Sequence, residues 1–201
     1  MKPYLQTTEF TTAASSLLTI MHHLNPEIEF SRDKEFDIWR STVNLPTRAS
    51  SIYALANYAK KKGFNLKIVV EDKNYHFPDY RFYRYKKEEI DEASFSSNLH
   101  LKEAENLAIP IEEREISLQD VQGELDRRNI ILLRLNAKPI RDTKRNTSNY
   151  VVVYGYNDKS FKIIDPIVGE ISIPQEVMQE SFESLETKKH RDHRMIIFLK
   201  D

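Results

Sequence analysis

Residues 12–24 read TAASSLLTIMHHL, and this stretch contains the clearest helical pattern of the chain. Its apolar side chains recur at intervals of three and four residues, the spacing that places them on one face of a helix. Pro26 follows shortly after the stretch and cannot continue a helix. The stretch therefore predicts a first helix over residues 12–24, with Leu17, Leu18, Met21 and Leu24 at its apolar positions.

Two further helices are predicted next along the chain. Ser31 can cap a helix that stops before Pro46, and residues 47–62 form a third segment with helical apolar spacing. Gly63 follows that segment at the position where glycine commonly ends a helix. The first 63 residues are thus predicted to form a helical half.

The character of the sequence changes after Gly63. Short apolar runs separated by turn residues predict strands, and residues 87–107 and 117–128 predict two helices among them. The later connections are only a few residues long, which permits antiparallel hairpins but not parallel crossovers. The polar residues 137–148 are predicted to form a mobile loop.

The fold class that follows is α+β in a single domain. A helical half over about residues 1–63 packs on a half over about residues 64–201 that is mostly antiparallel sheet. The predicted strands cover residues 66–70, 80–85, 130–135, 150–156, 161–164, 171–173 and 195–199.

The composition excludes several classes of function. The 201 residues include 30 Lys and Arg against 31 Asp and Glu, so the net charge of −1 gives no general attraction to nucleic acid or to an anionic membrane. The chain contains no cysteine, which excludes disulfides, thiolate metal sites and a thiol nucleophile. It has 4 glycines and no phosphate-binding glycine loop, so no cofactor is expected.

The sequence also sets an expectation for location. No apolar run approaches the roughly 20 residues that cross a bilayer. The opening MKPYLQTTEF lacks the apolar core of a signal peptide. A cytoplasmic protein without a membrane partner is therefore expected, and no oligomeric state is predicted.

Several segments, taken in order, resemble the bacteriocin-processing, double-glycine-leader cysteine peptidases, and in particular their stand-alone bacterial relatives. Together these segments span nearly the whole chain. They are QTTEFT at residues 6–11, EFDIWR at 35–40, KGF at 62–64, YVVV at 150–153 with GY at 155–156, IDP at 164–166, and IP at 173–174 before a predicted helix.

This resemblance implies a papain-like fold, in which a nucleophilic cysteine opens the first helix and a histidine with an Asp or Asn partner comes from the sheet. It also implies an oxyanion donor at a glutamine shortly before the cysteine. Gln6 matches that glutamine, and Asp165 matches the acidic partner of the histidine.

The nucleophile and the base of the family are both replaced. Thr12 stands where the family has the cysteine of Cys-Gly-Pro, and Asn149 stands where it has the histidine. A threonine without a base is a poorly ionised alcohol at neutral pH. The resemblance therefore implies a peptidase-like protein that has lost its peptidase activity, with Asp165 left without an imidazole to orient.

The four matching positions also have simpler structural interpretations. Thr12 can serve only as an N-cap, and Asn149 can be a polar residue of an edge strand. Gln6 and Asp165 can be turn residues, since Asp-Pro is a common turn pair.

The first functional hypothesis is a pseudopeptidase that binds a peptide in the former active-site cleft without cutting it. Its candidate ligand contacts are Gln6, Thr12, Asn149 and Tyr150, joined by Arg141 and Arg145 from the predicted loop. If this loop overhangs the cleft, it should favour acidic ligands.

Two alternatives come from other classes of function. One is an enzyme that reuses the scaffold for other acyl or amide transfer, with Thr12, Asn149 and the basic loop as substrate contacts. The other is a nucleic-acid-associated module that uses the aromatic and basic residues 80–87 together with residues 141–145. The near-neutral composition makes nucleic acid the less expected partner.

A metal site is not predicted. His190 and His193 have a spacing that could present two imidazoles to an ion, but the flanking charged residues indicate a solvated turn. A third ligand is not evident nearby in the sequence.

Overall fold

The computed structural model describes residues 1–74, 86–188 and 191–200. Helices come first along the chain and most strands come later, so the α+β class predicted from the sequence is confirmed. The helices are α1 (Thr12–Leu24), α2 (Arg32–Thr42), α3 (Ile52–Lys61), α4 (Lys87–Asn106), α5 (Leu118–Asp126), α6 (Ala137–Arg141) and α7 (Gln175–Thr187). The strands are β1 (Leu66–Val70), β2 (Ile111–Glu113), β3 (Ile130–Asn136), β4 (Ser148–Tyr156), β5 (Ser160–Asp165), β6 (Gly169–Pro174) and β7 (Arg194–Phe198).

The first three helices have the boundary chemistry expected from their sequence, with one exception. Helix α1 has the predicted bounds, and the Ser31 side chain accepts a hydrogen bond from the Lys34 N–H at the start of α2. Gly63 follows α3 with a φ of 89°, a conformation that other residues adopt at a cost. The exception is the start of α3, which lies at Ile52 rather than at residue 47.

The late start of α3 has a local cause. The backbone of Ser50 forms a β-bridge with Val43, and the Ser51 N–H donates to the Thr42 carbonyl. In addition, the Thr47 hydroxyl donates to the Asn44 carbonyl in a turn. The hydrogen-bonding groups of these residues are therefore used in a turn and a bridge. The first hydrogen bond of α3 runs from the Leu55 N–H to the Ser51 carbonyl.

The strands form one seven-stranded sheet in the order β2-β1-β7-β3-β4-β5-β6. All neighbouring strands are antiparallel except β1 and β2, which are parallel and are connected through α4. Strand β2 was not predicted from the sequence, because it has only three residues and none of them is buried. The predicted strand over residues 80–85 lies outside the described residues.

Each face of the sheet carries its own apolar cluster. Helices α1 and α3 pack on one face, against alternate strand residues such as Tyr150 and Val152. Helices α5 and α7 pack on the other face, against Val151 and Val153. The alternation of side chains along β4 therefore decides which of its residues faces α1.

Residues 137–148 are not simply a loop as the sequence predicted. The first five form helix α6, whose N-cap is Asn136, and the Asn136 side chain accepts a hydrogen bond from the Lys138 N–H. The remaining residues connect α6 to β4. In the described part of the chain, no helix is both long and apolar enough to cross a membrane.

Candidate functional site

The start of α1 is held by a buried carboxylate that the sequence analysis did not single out. Glu35 of α2 has no exposed surface. Its Oε1 accepts from the Thr11 hydroxyl at 2.5 Å and from the Thr7 N–H at 2.8 Å, and its Oε2 accepts from the Thr7 hydroxyl at 2.6 Å. The Tyr4 hydroxyl also donates to Oε2, at 3.2 Å. Glu35 thereby positions the segment that carries Gln6 and leads into α1.

Tyr4 remains a neutral donor in this network over a wide pH range. Burial and the charge of the Glu35 carboxylate raise the pKa of the Tyr4 hydroxyl to about 12. The phenol therefore keeps its proton at neutral pH and continues to donate to Glu35.

Thr12 is the first residue of α1 and not its N-cap, which corrects the simpler interpretation made from the sequence. Thr11 occupies the cap position, and its hydroxyl bonds Glu35 instead of capping the helix. The Thr12 side chain is half-buried and forms no hydrogen bond with the described residues. It therefore lies at a helix N-terminus, the place where a thiol would be activated, without a base beside it.

Gln6 lies next to the turn that follows β5. Its backbone N–H donates to the Pro166 carbonyl at 2.9 Å. Its side-chain Oε1 is buried and has no hydrogen-bond partner among the described residues. The structure thus brings Gln6 and the Asp165–Pro166 turn together and leaves one acceptor of Gln6 unused.

Asp165 is fully buried and bonded through both of its oxygens. Its Oδ2 accepts from Arg141 Nε at 2.9 Å, and Arg141 Nη2 lies 2.8 Å from the same oxygen at an angle unsuited to a second hydrogen bond. Its Oδ1 accepts from the N–H groups of Ile167 and Val168, at 2.8 and 3.0 Å. The partner of Asp165 is therefore a guanidinium that neutralises its charge.

The position of Arg141 differs from the sequence prediction. It was expected as an exposed ligand contact on a mobile loop, but it ends helix α6 and its side chain is only 9% exposed. The guanidinium is used in binding Asp165, so it offers little charge to a ligand. Sequence spacing contains no signal for this pair, because residues 141 and 165 meet only through the tertiary fold.

Asn149 lies in β4, between β3 and β5, and so is not an edge-strand residue. It is 8% exposed, and its Nδ2 donates to the Ser148 carbonyl while its Oδ1 has no partner among the described residues. Its register partner is Leu135, which faces the α5 and α7 layer. Tyr150, the next residue, is buried on the α1 side.

Thr12 and Asn149 lie near the same contact between α1 and the sheet. The Ser16 hydroxyl, one helical turn after Thr12, donates to the Tyr150 carbonyl at 2.8 Å. No hydrogen bond within the described residues joins Thr12 to Asn149, whose strand position turns it toward the opposite face. Side-chain contact between the two therefore stays a prediction.

None of the histidines in the described part of the chain is hydrogen-bonded to Thr12. His22 and His23 lie at the far end of α1, roughly 15 Å from Thr12 at 1.5 Å per residue. His100 belongs to α4, beside Glu103. His193 is 4% exposed, and its Nδ1 and Nε2 lie 3.0 Å from Glu71 Oε1 and from the Phe182 carbonyl.

Two groups of residues considered from the sequence lie at least partly outside the described part of the chain. His190, the possible partner of His193 in a metal site, lies outside the described residues. Residues 80–85, which carry most of the aromatic and basic segment considered for nucleic acid, also lie outside them. Within residues 1–74, 86–188 and 191–200, no group of three side chains is arranged to hold a metal ion.

An open pocket of about 530 Å³ lies beside the Asp165 turn. One wall comes from the connection between α6 and β4, and the other comes from the turn after β5. The lining residues are Arg141, Thr143, Lys144, Arg145, Thr147, Ile167 and Val168. Of the two arginines expected to bind a ligand, Arg145 thus lines the pocket with an exposed side chain, whereas Arg141 lines it while paired with Asp165.

Residues 1–195 match the model of the family described as Peptidase_C39 like family. The chain therefore belongs to the Peptidase C39-like family, as the resemblance of its sequence segments indicated.

Comparison with solved structures supports the papain-like fold. A crystal structure of a double glycine motif protease from an AMS/PCAT transporter, in complex with the leader peptide, matches with a TM-score of 0.50. The match covers 100% of this chain and 93% of that chain at 14% sequence identity. No curated protein matches the sequence.

Proposed function

We propose that this chain is a catalytically degenerate member of its family that binds a peptide in the former active-site cleft and does not cleave it. The observation that carries the proposal is the Arg141–Asp165 ion pair. The Arg141 guanidinium binds the Asp165 carboxylate, which the sequence resemblance matches to the partner of an imidazole. The same resemblance places Thr12 and Asn149 at the positions of the nucleophile and the base.

Binding capacity remains although the catalytic pair is gone. Gln6 Oε1 is a buried acceptor without a partner in the described structure, and a buried polar atom gains free energy when a ligand supplies a donor. A peptide backbone supplies such donors at regular intervals. The crystal structure with the similar fold holds a leader peptide, which supports a peptide as the class of ligand.

The first test is of catalysis. The purified protein is expected not to hydrolyse a peptide that carries a double-glycine site, because it offers neither a thiolate nor a positioned imidazole. Liquid chromatography with mass spectrometry would detect cleavage products. Turnover that disappears in Thr12→Ala would instead identify Thr12 as an active nucleophile and favour the acyl-transfer alternative.

The second test is of binding. A random dodecapeptide library displayed on phage is selected against the protein, and the affinities of synthetic copies of the enriched peptides are measured by calorimetry. Gln6→Ala is expected to weaken these peptides, whereas the matched change Gln119→Ala, at an exposed position of α5, should leave them unaffected. Failure to enrich any peptide, or equal binding by Gln6→Ala, would contradict binding in this cleft.

A further inference from the structure

The pocket beside the Asp165 turn has the size and the uneven lining of a ligand subsite. Its volume of about 530 Å³ falls within the range of small-molecule and side-chain pockets, roughly 300–1,000 Å³. Lys144 and Arg145 line it from the connection after α6, and Ile167 and Val168 line it from the turn after β5. The pocket therefore combines cations with apolar side chains in one lining.

The two cations are not neutralised within the described structure. Lys144 and Arg145 are exposed, and neither forms an ion pair with the described residues. Arg141 also lines the pocket, but Asp165 neutralises its charge. Asp142 is exposed and adjacent in the chain, but it does not line the pocket. Local positive charge therefore persists here although the whole chain has a net charge of −1.

The apolar side of the pocket is held in a fixed shape. Ile167 and Val168 are 48% and 50% exposed, and both backbone N–H groups donate to the buried Asp165 carboxylate. Leu5, 48% exposed, lies beside the same turn, with its Cδ2 3.6 Å from where a Cβ on Gly169 would stand. A rigid, exposed apolar surface loses little entropy when a ligand packs against it.

We propose that this pocket binds a carboxylate of a peptide together with a neighbouring apolar side chain. Lys144 and Arg145 pair with the carboxylate, and Ile167 and Val168 pack against the apolar group. This subsite rests on the proposed function, because it recognises part of the peptide that occupies the cleft. It adds that the ligand is acidic and apolar at adjacent positions.

The lining favours a peptide over a single-stranded nucleic acid. Stacking platforms for unpaired bases need aromatic side chains, and the residues that line this pocket include none. Two exposed aliphatic side chains instead match the aliphatic residues of a peptide. A nucleic acid is therefore a competing outcome of the test.

The experiment uses the phage-displayed dodecapeptide library with the full chain and with a charge-reversed variant, Lys144→Glu with Arg145→Glu. Lys102→Glu with Lys159→Glu is the matched control, since both lysines are exposed and Lys159 lies at the opposite end of the β4–β5 hairpin. Calorimetry then gives affinities for synthetic peptides, including copies with Asp and Glu replaced by Asn and Gln. A single-stranded dT20 oligonucleotide is tested as a competitor.

The expected result is enrichment of peptides with an acidic residue next to an aliphatic one. Their affinity should fall at least about tenfold in the Lys144→Glu, Arg145→Glu variant and in the neutral peptide copies, and should be unchanged in the control. An Ile167→Ser variant should weaken the same peptides and preserve the dependence on the two cations.

Three results would overturn the subsite. The enriched peptides could lack acidic residues and bind the charge-reversed variant as tightly as the original protein. This result would contradict the subsite and leave the proposed function intact. Displacement of the peptides by dT20 through Lys144 and Arg145 would assign the pocket to nucleic acid. Failure to enrich any peptide would remove the proposed function itself.

Discussion

Arg141 and Asp165 form an ion pair that is almost completely enclosed, with side chains 9% and 0% exposed. A buried pair of this kind contributes modestly as a unit, but removing one member strands the other charge away from water. Arg141→Met is therefore expected to lower the free energy of unfolding by about 3–5 kcal/mol, measured by urea denaturation.

A double variant separates the stranded charge from lost packing. Adding Asp165→Asn to Arg141→Met removes the charge but keeps an Oδ1 that can accept from Ile167 and Val168. The double variant should recover a large part of the lost stability. A loss below about 1 kcal/mol in Arg141→Met, or no recovery in the double variant, would show that the pair is not the anchor of this turn.

Glu35 supports a second prediction at the level of one side chain. Both oxygens of its carboxylate accept hydrogen bonds, from Thr7, Thr11 and Tyr4. In Glu35→Gln an NH2 group replaces one of these oxygens, so one acceptor is lost and a donor faces other donors. The free energy of unfolding should fall by about 2 kcal/mol or more. Glu29→Gln, at an exposed position, is the control and should change stability by less than about 0.5 kcal/mol.

The same substitution has a local readout. If Glu35 fixes the segment before α1, hydrogen exchange of the Thr7 amide should accelerate in Glu35→Gln more than that of Ile196 in the central sheet. Equal acceleration at both positions would mean that the substitution acts only through global stability.

Sequence reasoning identified some residues of the candidate site and missed how they are used. Gln6 and Asp165 could be selected because local motifs carry them. The roles of Glu35 and Arg141 depend on contacts across 24 residues or more, from Thr11 to Glu35 and from Arg141 to Asp165. Such pairings depend on how the helices and the sheet pack, and no local sequence pattern around either residue predicts them.

At the scale of secondary structure, the long helices α1 and α4 and most of the short strands were predicted, whereas α6 and β2 were not. The 13 residues of α1 and the 20 residues of α4 have enough turns for their pattern to be recognised. Helix α6 has 5 residues, less than two helical turns, and β2 has 3 residues, none of them buried. The start of α3 was misplaced because turn and bridge contacts override helical spacing there.

A contact between elements leads to a prediction about pH. Glu71, just after β1, accepts from the backbone N–H of His193 and lies 3.0 Å from its ring, before β7. Burial raises the pKa of Glu71, but the hydrogen bonds from His193 outweigh this and hold that pKa below its ordinary value. The Glu71 carboxylate therefore stabilises the fold where it is ionised, above its pKa in the unfolded chain.

Glu71→Gln should accordingly lower the free energy of unfolding by about 1–2 kcal/mol at neutral pH. This difference between the two proteins should shrink as the pH falls below about 5. Urea denaturation of both proteins between pH 3 and pH 7 measures the difference, since this range extends more than one unit below the ordinary glutamate pKa of about 4.3. Glu180→Gln, exposed on α7, is the control. A difference that stays constant over this range would rule out the proposed linkage.

The molecule as a whole is built on a sheet shared by two apolar clusters. Ile196 and Ile197 are adjacent in β7, yet Ile196 faces the α1 and α3 layer while Ile197 faces the α5 and α7 layer. If the helical half and the sheet half form a single domain, as the sequence predicted, a change on either face should destabilise both layers together.

This expectation can be measured with the single tryptophan, Trp39, which packs against the α1 and α3 cluster. Ile196→Ala and Ile197→Ala should each cost about 2–5 kcal/mol and shift the Trp39 fluorescence transition together with the circular dichroism transition. If Ile197→Ala leaves the midpoint of the Trp39 fluorescence transition unchanged, the two layers unfold independently.

The place of β7 in the sheet has a consequence for synthesis of the protein. Residues 194–198 lie between β1 and β3, so they join the strand pair formed by β1 and β2 to the four-stranded unit formed by β3 to β6. On the ribosome, both units emerge before β7, which connects them. Until β7 emerges, each unit exposes an unpaired strand edge. Nascent chains of this protein are therefore expected to be most prone to aggregation, and most dependent on chaperones, until β7 has left the exit tunnel.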